Sequence, residues 1–234
     1  MMSRLVRTAV LLSALVSAGV SAESPGEALA QLQQTLSDAE ANALLRPFSD
    51  SDRKAYRLTP GERGGLMLKN MDAETREAAF AFLASILSER GMAVLRGAIE
   101  REALLGTIEE NPEYRHPDKY YLAVFVSPAN PNWGVRFEGH HYSLNVTLNG
   151  SRIVAVTPFL LGANPKHLTV GKDDPLRPFL NAHEDPSAFL RAFQRMFKPD
   201  VSSAMEGAEV DTSGFGVFGH PHMEVSGRLD FGGR

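Results

Sequence analysis

Apolar positions along this chain recur at intervals of three and four residues through its first half, shorten to intervals of two in the middle, and return to helical spacing near residue 190. Ser24-Pro25-Gly26-Glu27 is a capping box with proline at the first helical position, and Leu29, Leu32, Leu36 and Ala39 follow on one face. Asp72 is placed to cap a second helix running to about Arg90, with Ala79, Phe82, Leu83, Ile86 and Leu87 turned inward and Gly91 as its terminator. A third helix, from about Met92 to Ile108, carries Leu95, Ile99 and Leu105 and stops before Asn111-Pro112. The second and third helices are expected to pair antiparallel. Residues 46–70 form a polar connection with Pro47, Pro60 and a Gly61-Glu62-Arg63-Gly64-Gly65 turn, in which Phe48 and Tyr56 are the expected anchors to the core.

Alternation of period two then marks three strands, Tyr120 to Ser127, Trp133 to Leu148 and Arg152 to Leu161, read as an antiparallel meander. Asn149-Gly150 between the last two suits a two-residue hairpin turn. Asp185-Pro186 opens another helix with a bulky stripe of Phe189, Leu190, Phe193, Met196 and Phe197, and residues between Phe215 and Asp230 suggest one last strand. Helices and strands are segregated along the chain, which predicts an α+β fold: amino-terminal helices packed on an antiparallel β-meander, with a further helix and a short carboxy-terminal strand.

The first 22 residues alter this picture. Arg4 and Arg7, the apolar run Ala9 to Val20, and Val20-Ser21-Ala22 before Glu23 form the three regions of a secretory signal peptide. Cleavage is expected near Ala22, delivering the chain to the periplasm or outside the cell, with residues 23–234 as a single α+β domain. The apolar run falls short of the roughly 20 residues a spanning helix needs, so no stable membrane insertion is expected once the leader is removed. There is no cysteine, hence no disulfide, thiolate ligand or cysteine nucleophile. Removing the two leader arginines leaves 22 basic against 28 acidic residues, a net charge of 22 minus 28, or −6, which argues against nucleic acid as a partner and favours a small-molecule ligand.

Unusual polar residues concentrate in Trp133-Gly-Val-Arg136-Phe-Glu138-Gly-His140-His141-Tyr-Ser143-Leu-Asn145. Read as one continuous strand, Arg136, Glu138, His140, Tyr142, Leu144 and Val146 share a face, and Phe137, His141, Ser143, Asn145 and Thr147 share the other. Near the end of the chain, His220, His222 and Glu224 alternate in the same way. Glu138 and His140 joined to His220 and His222, with His141 or Glu224 as further donors, would supply the neutral nitrogens and anionic oxygen that zinc, copper or iron accept. A second reading is a metal-free module in which Trp133, His141, Ser143, Asn145 and Asn164 hold a small polar ligand by hydrogen bonds. A third is a structural or interaction protein without a site. No Gly-x-Ser-x-Gly elbow supports a serine hydrolase.

Phe48-Ser-Asp50 with Arg53, Pro60-Gly-Glu-Arg63-Gly-Gly-Leu66, Leu87-Ser-Glu-Arg-Gly91, Tyr121, Trp133 through Asn145, Thr157-Pro-Phe and Gly162-Ala-Asn-Pro165 together resemble the family known as domain of unknown function 3500, over about residues 45 to 197. The Glu-Gly-His-His-x-Ser-Leu-Asn block is the most specific part of the likeness. The family brings no established activity. Its members run longer and end in a His-x-His ahead of an Asp-aromatic-Gly, an ending that His220-Pro-His222 and Asp230-Phe-Gly232 resemble after a shorter intervening segment. The resemblance therefore implies that the two histidine clusters meet.

Overall fold

The computed structural model describes residues 23–57, 59–165, 174–179 and 186–199, and the strand 223–230. The capping boxes decide where the first helices begin. Ser24 and Glu27 cap α1, Pro25–Gln34, and a second box, Ser37 with Glu40, opens α2, Asp38–Leu44. The apolar stripe from Leu29 to Ala39 is thus two helices instead of one, because the Ser37 hydroxyl and Glu40 carboxylate satisfy the orphan N–H groups of a new start. Asp72 caps α3, Ala73–Ile86, through the Thr75 N–H at 2.8 Å. The expected continuation of α3 to Arg90 fails at Leu87. Ser88 instead caps α4, Glu89–Ile108, by accepting from the Gly91 N–H at 3.1 Å. Gly91 lies inside the first turn of α4, where a Cβ would collide with the Met196 carbonyl, so its glycine serves a close approach and not a helix end. α3 makes its main helix contact with α1, not with α4 as expected.

The strands are β1, Leu45–Pro47; β2, Leu66–Met67; β3, Tyr121–Val126; β4, Asn132–Gly139; β5, Tyr142–Asn149; β6, Arg152–Ala163; and β7, Met223–Asp230. They form one mixed sheet in the order β1-β3-β4-β5-β6-β7, with β2 also on β3; β1 runs parallel to β3 and every other pairing is antiparallel. The main strands β3 to β6 follow one another after α4, while the short β1 and β2 lie between α2 and α3, and the fold is α+β. The expected three-strand meander is a meander of four, since Trp133 to Leu148 is not one strand. It turns back at His140-His141, and Glu138 pairs with Ser143 and Arg136 with Asn145. The next hairpin turns at Gly150-Ser151, with Gly150 at φ +58° and Asn149 opposite Arg152, so its register is shifted from that of an Asn149-Gly150 turn.

The turn at 140–141 redistributes the faces. Cross-strand partners point the same way, so Val135, Phe137, Tyr142, Leu144 and Val146 share one face, while Arg136, Glu138, Ser143 and Asn145 share the other. The first face meets the apolar core. Phe82 of α3 stacks on Trp133 at 6.3 Å between centroids, and Phe159 packs on Phe189 and Phe193 of α5, Pro186–Gln194, at 5.9 and 4.5 Å.

The second face is equally buried, though polar. The 46–66 connection covers it with alternating charges. Arg46 pairs with Asp50 at 2.6 Å and reaches Asp52 at 3.8 Å; Arg136 holds Asp52 at 2.9 Å and Glu138 at 3.3 Å; and Arg63 lies 3.1 Å from Glu138. Three cations therefore meet three carboxylates, which offsets the cost of taking each charge out of water. Backbone hydrogen bonds from the Asp52 N–H to Asp50, and the Arg136 guanidinium beside Asp52, hold both aspartates below the usual carboxylate range. This network anchors the connection where Phe48 and Tyr56 were expected to do so. Tyr56 is exposed, and Phe48 is half-buried under the Arg53 guanidinium at 4.2 Å.

Candidate metal centre

His140 and His141 form the two-residue link between β4 and β5, and His141 adopts φ +59°, a left-handed conformation uncommon for residues with a side chain. Three consecutive carbonyls fix this turn. Gly139 O accepts from Arg63 Nη2 at 3.2 Å, His140 O from the Tyr120 hydroxyl at 2.9 Å, and His141 O from the Gly162 N–H of β6 at 2.7 Å. Gly139 is required because the Tyr120 ring lies against its backbone; a Cβ there would come within 2.6 Å of Tyr120 Cγ. Conformational strain of this kind is held only where the surroundings over-determine it, and it collects at functional sites.

The turn brings the two imidazoles together, with centroids 3.5 Å apart and planes at 34°. Glu102 of α4 meets them: its Oε2 lies 2.6 Å from His140 Nδ1. Glu102, His140 and His141 are all buried, and their ligand atoms lie within 4.8 Å of one another. A tetrahedral ion with bonds of about 2.1 Å spaces its ligands roughly 3.4 Å apart, so a cluster whose ligand atoms all lie within 4.8 Å could hold one in place of the Glu102–His140 hydrogen bond. Two neutral nitrogens and one carboxylate oxygen suit zinc or non-haem iron and leave coordination positions for solvent or substrate.

Burial raises the Glu102 carboxyl from 4.5 to about 7, against the opposing pull of the Arg115 guanidinium. Arg115 Nη1 lies 3.1 and 3.2 Å from the two His140 ring nitrogens and 3.9 Å from Glu102, while its Nε and Nη2 are held by Glu109 at 2.7 and 3.1 Å. If His140 Nδ1–H donates to Glu102, Nε2 is the acceptor that remains for Arg115. Burial and the Glu102 charge also raise the Tyr120 phenol well above its usual value, so it stays a neutral donor to the turn.

The residues singled out from sequence fall in different places. His140 and His141, expected on opposite faces, sit side by side in the turn, because a tight turn removes the alternation that would have separated them. Glu138 lies one residue before Gly139, but its carboxylate is taken by Arg63, Arg136 and the Arg57 N–H at 2.8 Å. His220 and His222 lie outside the described residues, and of Glu224 only the backbone, in β7, is described. Trp133 stands at the other end of β4, six residues or about 20 Å from Gly139, where its indole N–H donates to Gly150 O at 2.9 Å. Ser143 and Asn145 lie on the polar face; Asn145 Nδ2 donates to Pro158 O at 2.8 Å. Asn164 is buried directly after β6. The structure therefore does not gather Trp133, His141, Ser143, Asn145 and Asn164 around one ligand.

Sequence patterns single out neither Glu102 nor Arg115, whereas Tyr120 reads as strand packing and Arg63 as more a turn residue than a carboxylate holder. Glu102 had a readable trace: with Leu95, Ala98 and Leu105 it lies on the buried stripe of α4, an apolar face interrupted by a carboxylate.

A family model described as a protein of unknown function, DUF3500, matches residues 18–208. The chain belongs to that family. The match covers every residue of the Glu102, His140, His141 cluster as well as the charge network behind it. No curated protein matches the chain, and no solved structure does. Among the described residues, no helix of this DUF3500 protein is long and apolar enough to cross a membrane.

Proposed function

We propose that this DUF3500 protein is exported by its leader and binds one divalent metal ion through Glu102, His140 and His141, as a metal-dependent enzyme acting on a small substrate. The observation that carries this reading is the convergence of three buried donors from a helix and a strained turn, with ligand atoms within 4.8 Å. A carboxylate and two imidazoles leave an ion with open positions, where it would polarise a substrate oxygen or lower the pKa of bound water. The chain's own contribution is orientation. Arg63, Tyr120 and Gly162 lock the turn, and the buried Glu102 is fixed on α4.

Elemental analysis after loading with zinc, copper or iron tests this. One ion per chain is expected, with loss in Glu102→Gln, His140→Ala and His141→Ala; a chain that retains no stoichiometric ion sinks the proposal. Export has its own test, since the secreted product should begin at Glu23. The Arg115 contact with His140 favours a second reading, in which the trio is a metal-free hydrogen-bonded network that organises the turn. It predicts no ion in any variant.

A further inference from the structure

Arg115 sits where a metal-loaded site would least tolerate an unshared cation. Its Nη1 points at the His140 ring nitrogens from 3.1 and 3.2 Å, and its guanidinium is mostly buried. A divalent ion held by one carboxylate and two neutral imidazoles leaves one positive charge in excess. Glu109, which already binds Arg115 through two oxygens, neutralises only the guanidinium. The ion would also engage a lone pair of the ring that Arg115 now contacts, so Nη1 would be left facing a cation, with the Glu102 carboxylate 3.9 Å away and itself engaged by the ion. One kind of group answers both demands: an anionic oxygen that ligates the ion through one atom and accepts from Nη1 through another. With Nε and Nη2 taken by Glu109, Nη1 is the guanidinium nitrogen that faces the site, and a charge-assisted hydrogen bond from it to a carboxylate oxygen is stronger than one to a neutral acceptor.

We infer that the substrate or ligand of this site carries a carboxylate, bridging the metal and Arg115. This rests on the metal-centre reading above. Glu109 is then a competitor: its exposed carboxylate already neutralises the guanidinium and weakens its pull on the ligand.

The test uses the full mature chain loaded with cobalt(II), whose visible spectrum reports changes in coordination, titrated with acetate as a carboxylate probe and imidazole as a neutral one. Arg115→Gln should weaken acetate about tenfold, as loss of a charge-assisted contact does, and change imidazole less than about twofold. Glu109→Gln should tighten acetate, an opposite sign that a folding defect would not produce. Equal loss of both probes in Arg115→Gln, or unchanged acetate affinity in both variants, overturns the carboxylate assignment while leaving the metal centre standing. Failure of the wild-type chain to take up cobalt overturns both together.

Discussion

Replacing Glu138 by glutamine separates a structural carboxylate from a metal ligand. In the structure its oxygens lie 3.1 and 3.3 Å from the guanidinium nitrogens of Arg63 and Arg136, both almost wholly buried, and one also accepts the Arg57 N–H at 2.8 Å. The amide keeps the shape and that last hydrogen bond but removes the charge, leaving Arg136 paired with Asp52 and Arg63 held by the carbonyls of Arg57, Thr59, Gly61 and Gly139. Removing one member of a buried ion network costs about 3–5 kcal/mol. For a chain of this size each kcal/mol lowers the melting temperature by about 2–4 °C, so a fall of roughly 6–20 °C is expected. Urea unfolding with chelator present measures the cost without any contribution from a bound ion. Metal loading of the same variant below its melting temperature should still give one ion per chain. If Glu138→Gln unfolds within about 1 kcal/mol of wild type and fails to hold metal, Glu138 is a ligand and the reasoning is wrong.

Glu102 should govern a second, pH-dependent effect in the metal-free protein. Its folded carboxyl titrates near 7 instead of 4.5, so between those values the folded state holds a proton that the unfolded chain has released. The group's stabilising contribution is complete below about pH 4.5 and is lost as pH rises to about 7, by at most on the order of 3 kcal/mol. The stability of wild type minus that of Glu102→Gln should therefore decline across this window, and a flat difference contradicts the assignment. Gly139→Ala should lose about 1–3 kcal/mol and weaken metal binding, because the new methyl and the Tyr120 ring compete for one space; a variant with unchanged unfolding and unchanged affinity would show the turn tolerates the shift. Tyr120→Phe removes the donor to His140 O and should cost about 1–3 kcal/mol by urea unfolding, whereas a loss under 0.5 kcal/mol would mean that carbonyl finds another partner.

What could be read from sequence followed from local physics. Ser24 and Asp72 cap helices as their side chains dictate, and the change of period from 3.6 to 2 marks where helices give way to the sheet. The break in the central strand was harder to see, because no Asn-Gly or Pro marks it and a histidine occupies the left-handed position. A trace was nevertheless present. Apolar residues fall on odd numbers at Val135 and Phe137 and on even numbers at Tyr142, Leu144 and Val146, and an intervening two-residue turn produces that change of parity. The polar face hid the trace further, since its residues are buried under the 46–66 connection and not solvated. Glu102, Arg115 and Arg63 reach the turn from residues 38, 25 and 76 positions distant from their turn partners, through contacts that no local pattern encodes.

Anomalous scattering from a crystal of the zinc-loaded mature chain, recorded on both sides of the zinc edge, tests the central claim most directly. The account predicts a single strong peak bounded by Glu102, His140 and His141, at bonding distances of about 2.0–2.2 Å. A peak at Glu138, or no peak near the His140-His141 turn in a zinc-loaded crystal, would contradict it.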